Sequence, residues 1–130
     1  MSRKTFYLAI LITVILMTTG CGSRQTKLTA TDNGGQADVK VGQQFVIELA
    51  GNPSTGYTWE TKDLDASMFQ QIGDAKFTSS NPGLAGAGGT LALTFKVVRA
   101  GTAVLTLVYH RPWETNVEPI NTFTVTVTVK

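Results

Sequence analysis

Apolar side chains recur at every second position in almost every patterned segment of this chain. Phe45, Ile47 and Leu49 alternate with Val46 and Glu48, and Tyr57 and Trp59 alternate with Thr58 and Glu60. Leu91, Leu93, Phe95 and Val97 share one face of a segment whose other face carries Ala92, Thr94 and Lys96. Ala103, Leu105, Leu107 and Tyr109 form the next inward face, and Phe123, Val125, Val127 and Val129 alternate with threonines to the end. A period of two places one set of side chains on one face of a strand, whereas a helix needs a period near 3.6, which no segment sustains. A weaker strand spans Met68 to Phe77, interrupted at Gly73, and Lys27 to Lys40 hold strand-like pieces broken at Asn33-Gly34-Gly35. Six or seven short strands separated by turns predict an all-β domain, an immunoglobulin-like antiparallel β-sandwich of about seven strands. No Cys-Trp-Cys framework accompanies it, so kinship with antibody domains is architectural.

The first twenty residues stand apart. Ser2-Arg3-Lys4 make a basic start, Thr5 to Met17 are almost wholly apolar, and Thr18-Thr19-Gly20 lead to Cys21. The apolar run is shorter than the ~20 residues that span a bilayer as a helix and closes on small residues, so residues 1–20 read as a signal peptide in preference to a transmembrane anchor. Cys21 is the only cysteine; no disulfide can form within one chain, although export implies an oxidising compartment. Gly20-Cys21 resembles the end of a bacterial lipobox, with Thr18 where an aliphatic residue is usual. That resemblance implies lipidation of Cys21, residues 21–26 as lipidated cysteine and tether, and a domain over residues 27–130. Ordinary cleavage nearby would instead leave a free thiol. Loss of Arg3 and Lys4 with the signal leaves nine of the eleven Lys and Arg against nine Asp and Glu. A neutral domain without a basic cluster argues against nucleic acid as partner.

Three connections exceed what hairpins require: Gly51 to Gly56, Ser79 to Gly89 and His110 to Ile120. Two strands separate the first from the second, and two more the second from the third. Each strand reverses the chain, so parity places all three loops at one end of the sandwich, as alternate loops cluster in variable domains. The turns at Asp63-Leu64-Asp65 and Arg99-Ala100-Gly101 fall at the other end.

The loops' contents suit binding better than catalysis. His110 is the single histidine and Cys21 lies at the anchor, so the domain offers no Cys/His pair; scattered carboxylates make no metal site, and no cofactor is implied. Gly86-Ala87-Gly88-Gly89 lacks the Gly-Lys-Ser/Thr of a phosphate cradle; its glycines either let a partner's backbone come close or simply make a flexible connector. Arg111-Pro112-Trp113 puts a tryptophan outside the alternating core pattern, as a contact residue or as a lid over the sandwich end. Pro53 and Pro112 restrict their loops before any partner arrives.

Asn52-Pro53-Ser54-Thr55-Gly56-Tyr57, Gly86-Ala87-Gly88-Gly89 and Arg111-Pro112-Trp113 occur in the order of three motifs of the chagasin family of cysteine-protease inhibitors. The resemblance covers roughly Lys40 to Lys130. It implies reversible, non-covalent inhibition of papain-like cysteine proteases, endogenous or of a host. The first loop would enter the catalytic cleft with Ser54 and Thr55 nearest the Cys-His pair, and the other two would brace its sides. Trp113 would stack on an aromatic surface beside the cleft. Ser54 replaces the family's first Thr, which implies altered affinity and an unchanged mode. With lipidated Cys21 the protein would be an exported monomer held to the envelope only through its lipid. Gly22 in place of Asp implies the outer membrane if the organism is Gram-negative, facing periplasm or surface. The rival reading is a non-inhibitory immunoglobulin-like envelope lipoprotein that binds a protein or polymer through the same loops.

Overall fold

The alternating segments become layers in the computed structural model, which describes residues 25–130. The signal peptide, Cys21 and most of the tether lie outside the described residues. Nine strands follow one another: β1 (Thr26–Thr29), β2 (Gln36–Val39), β3 (Gln44–Gly51), β4 (Thr58–Lys62), β5 (Phe69–Gln71), β6 (Lys76–Ser79), β7 (Gly89–Val97), β8 (Gly101–His110) and β9 (Asn121–Val129). One sheet has the order β1-β3-β7-β5, with β6 also on β7; the other has the order β2-β9-β8-β4. The β-sandwich expected from the alternation is present.

Two segments raise the strand count above seven. The N-terminal piece becomes β1 and β2, one for each sheet, joined by a short 3-10 turn over Ala30–Asp32. Asp32 Oδ2 accepts the Thr29 amide (2.7 Å), and the amide of Gly34 reaches the Thr124 carbonyl (2.6 Å). β1 pairs with β3 and β2 with β9, both in parallel, so the sheets are mixed rather than wholly antiparallel. The Met68–Phe77 segment divides at Gly73 into β5 and β6, both antiparallel to β7. The Ile72 amide donates to the Thr94 carbonyl (2.8 Å), which keeps the interruption attached to β7. Because β5 and β6 run in one direction they count as a single reversal, and the parity of the three long loops survives the extra strand.

The inward faces meet as the period of two requires. Phe45, Ile47, Leu91, Leu93, Phe95 and Val97 from one sheet pack against Leu105, Leu107, Phe123, Val125 and Val127 from the other. Phe45 stacks on Phe95 (centroids 5.4 Å apart, 25° between planes) and meets the edge of Phe69 at 6.1 Å. Such pairs contribute about 0.5–1.5 kcal/mol beyond area burial. At the end away from the long loops, Asp65 accepts the Ser67 hydroxyl (2.5 Å) and amide (2.9 Å). The hydroxyl bond first, then the amide bond, hold its carboxyl below the usual aspartate range.

Candidate functional site

Asn52 to Gly56 form a single 3-10 turn with a stop at each end. Asn52 is its N-cap: Oδ1 accepts the Ser54 amide (3.1 Å) and hydroxyl (2.6 Å), satisfying a donor that the first turn leaves without an intrahelical partner. Pro53 occupies the first helical position, where its missing N–H costs nothing and its fixed φ suits the turn. The Asn52 carbonyl accepts the Thr55 amide (3.1 Å) and hydroxyl (2.6 Å). Gly56 closes the turn at φ 82°, ψ −6°, the left-handed conformation that side chains with a Cβ resist. Asn-Pro-Ser-Thr-Gly is therefore a cap, a turn and a stop, and both hydroxyls donate inward to Asn52.

Three aromatic rings support this loop. Tyr109 stacks on Trp59 (5.1 Å, 28°) and lies against Tyr57 (5.4 Å, 34°). The Asn52 amide donates to Tyr109 Oη at 2.9 Å, and Trp59 Nε1 donates to the Ala50 carbonyl at 3.0 Å. Trp59 is 4% exposed, in keeping with its strand register. The period of two marked Tyr109 as an inward residue; nothing in the pattern showed that its hydroxyl carries the neighbouring loop.

The second and third loops are tied to the first. Asn52 Nδ2 donates to the Gly86 carbonyl (3.0 Å). The Gly88 carbonyl accepts from both the amide (3.0 Å) and the hydroxyl (2.7 Å) of Ser80, closing the base of the second loop. A β-carbon on Gly89 would collide with the Thr78 carbonyl and lie 2.8 Å from Ser79 Cα, so this glycine serves the pairing of β6 with β7. The Arg111 guanidinium lies 4.5 Å from the centroid of the Tyr57 ring, its Nε donates to the Thr55 carbonyl (3.0 Å), and its Nη1 pairs with Glu114 Oε1 (3.1 Å). Arg111 thus braces the loops from within. Trp113 lies over Gly56, where a β-carbon would strike its ring at Cη2 and come within 2.9 Å of Cζ2, yet 67% of the residue is exposed. One part of the indole covers the turn, as a lid does, while the rest faces solvent. His110 ends β8 opposite Thr58, and its Nε2 meets Glu60 Oε2 at 2.8 Å, a partner the sequence pattern did not indicate.

All three predicted loops therefore meet at one end, with Asn52, Gly56 and Arg111 making the connections. Cys21 lies outside the described residues. Among the described residues no three His, Cys, Asp or Glu side chains gather as a metal site. If Asn52 holds both the turn and the second loop, Asn52→Ala should cost about 1 kcal/mol of local order. Amide exchange should quicken at Ser54 and around Gly86 while the β7 amides stay protected; unchanged exchange at Ser54 would show that the cap is dispensable.

Residues 38–127 match the family model described as chagasin family peptidase inhibitor. Chagasin from Trypanosoma cruzi is 38% identical over 92 residues, which cover 67% of this chain and 82% of that protein. Amoebiasin-1 from Entamoeba histolytica is 30% identical over 105 residues, covering 79% of this chain and 98% of its relative. Among solved structures, a cysteine protease inhibitor from Entamoeba histolytica superposes with a TM-score of 0.69 at 25% identity, over 81% of this chain and 94% of its own.

Proposed function

We propose, from the premise that this chain belongs to the chagasin family of peptidase inhibitors, that it inhibits papain-like cysteine proteases reversibly and without covalent chemistry. The family consists of inhibitors rather than enzymes. The observation that carries the reading is the mutual fastening of three loops at one end, through Asn52 to Gly86, Arg111 to Thr55 and Trp113 over Gly56. Loops already ordered by such contacts lose little further entropy on binding, which favours affinity. The first loop enters the cleft as a 3-10 turn, so it covers the protease's Cys-His pair without offering an extended peptide for attack. Its Ser54 and Thr55 hydroxyls donate to Asn52 and keep lone pairs for a partner's donors. The second loop lies on one side, and Trp113 on the other stacks on an aromatic surface beside the cleft. Ser54 retains the hydroxyl of the Thr it replaces and lacks its methyl, changing affinity without changing the mode.

Residues 1–20 direct export, and Cys21 carries the lipid that holds a monomeric inhibitor to the bacterial envelope. In a Gram-negative cell the outer membrane is its site. Fatty-acid labelling of the mature protein tests this, and a mature Cys21 without label refutes it.

Titration of the mature protein against papain tests the inhibitor reading. Trp113→Ala should weaken inhibition roughly 30- to 1000-fold, the range of a truncated hot spot. Absence of inhibition by the folded parent at micromolar concentration would overturn the reading and favour a non-inhibitory binding module. Equal inhibition by parent and Trp113→Ala would remove the stacking role alone.

A further inference from the structure

The chain enters the sandwich at the end opposite the three loops. β1 runs parallel to β3 from Thr26 beside Phe45, and β3 begins where β7 finishes. Four positions separate Cys21 from Gln25, the first described residue, an extended reach of roughly 14 Å. An acyl group on Cys21 therefore holds this end near the membrane.

The same end gathers exposed cations around exposed apolar side chains. The Val41 amide donates to the Lys130 carbonyl (3.1 Å), the Lys130 amide to the Val39 carbonyl (3.0 Å), and the Gly42 amide to the Val97 carbonyl (2.9 Å). These bonds bring Lys40-Val41, Val98-Arg99 and Lys130 side by side. Val41 is 49% and Val98 45% exposed. Neither Lys40, Arg99 nor Lys130 forms an ion pair among the described residues. Asp63 and Asp65 stand on the neighbouring β4–β5 connection, where the Asp65 carboxyl is held by Ser67 and feels the charge of Arg99.

We propose that this end is a docking surface for an anionic lipid membrane, with Lys40, Arg99 and Lys130 at the headgroups and Val41 and Val98 turned toward the acyl boundary. The proposal rests on the reading of Cys21 as a lipid anchor. Apolar contact and attraction to anionic headgroups supplement one another in peripheral binding, each basic side chain near the surface contributing roughly fivefold. Docking there stands the three loops off the bilayer by about the length of β8, ten residues at roughly 3.3 Å each. A protease then meets the loops without meeting the lipid.

The full-length chain is made in a lipoprotein-processing bacterium, and the mass of its mature N-terminus reports lipid on Cys21. If lipid is absent, the anchor reading fails, and protein beginning at Cys21 is coupled through its thiol to a maleimide lipid so that the surface is tested regardless. Vesicles of phosphatidylcholine with a minority of phosphatidylglycerol carry a headgroup nitroxide. Indole emission is compared between the parent and a Val98→Trp, Trp113→Phe variant, Trp59 being common to both. The indole introduced at position 98 should be quenched severalfold more than Trp113. Equal quenching, or stronger quenching of Trp113, overturns the proposal. Separately, Cys21→Ser protein should bind phosphatidylglycerol vesicles at low salt, and K40Q/R99Q/K130Q should reduce that partitioning by roughly a hundredfold. Unchanged partitioning also overturns it.

Discussion

Gly56→Ala should leave the mature protein folded and weaken its inhibition of papain by at least about a hundredfold, or about 2.7 kcal/mol. Two effects add at this position. Backbone at φ 82° disfavours any residue with a Cβ by about 1–2 kcal/mol. The new methyl also occupies the place of the Trp113 ring. The ring must lift, the turn must change shape, or both, and each outcome misplaces the first and third loops relative to one another. Gly56 lies outside the packed core, so the melting temperature should fall by roughly 5–12 °C, less than for loss of a core ring. Inhibition constants and thermal melts check the two halves together, and a loss below tenfold would show that the seat of Trp113 on Gly56 is immaterial to binding. The double variant with Trp113→Ala is informative in its own right. If the ring transmits the damage, the second substitution should add much less than its effect alone.

Phe95→Ala should do the reverse, costing about 3–5 kcal/mol of stability without touching the loops. Phe95 is fully buried and stacked on Phe45, with Phe69 at the edge of the same cluster. Removal of the ring forfeits its transfer free energy and leaves a cavity between two sheets whose hydrogen bonds hinder collapse. A domain of this size has about 5–15 kcal/mol in all, so the melting temperature should fall by roughly 15–30 °C. Urea unfolding should show a lower midpoint at unchanged slope. A cost under 2 kcal/mol would mean that Phe45 and Phe69 close over the gap.

The alternation made the sandwich legible because it states directly which side chains leave water. Leu91, Leu93, Phe95 and Val97, and again Phe123, Val125, Val127 and Val129, are buried on the face their spacing assigns. Parity made the common end of the loops legible because it depends only on the number of reversals, and the division of one strand at Gly73 left that number unchanged. The parallel pairing of β1 and β2 could not be read in the same way. Short strands of mixed composition carry no signal for direction, which follows from where the turn at Ala30–Asp32 delivers the chain. Within the site, residue types indicated stiffness and a contact surface but not connectivity. That Arg111 donates to the Thr55 carbonyl, or that Tyr109 Oη accepts the Asn52 amide, depends on side chains reaching across 56 and 57 positions. No local pattern records such a reach.

The ties among the three loops also limit how this edge can be rebuilt. A loop held only by its own strands could be moved to another sandwich as a cassette. Here the first loop draws its shape from Gly86 and Arg111 as much as from its own cap. Grafted alone onto a foreign scaffold, Asn52 to Gly56 would keep its turn and lose its bearing. The smallest portable unit is the three loops together, with Tyr57, Trp59 and Tyr109 beneath them.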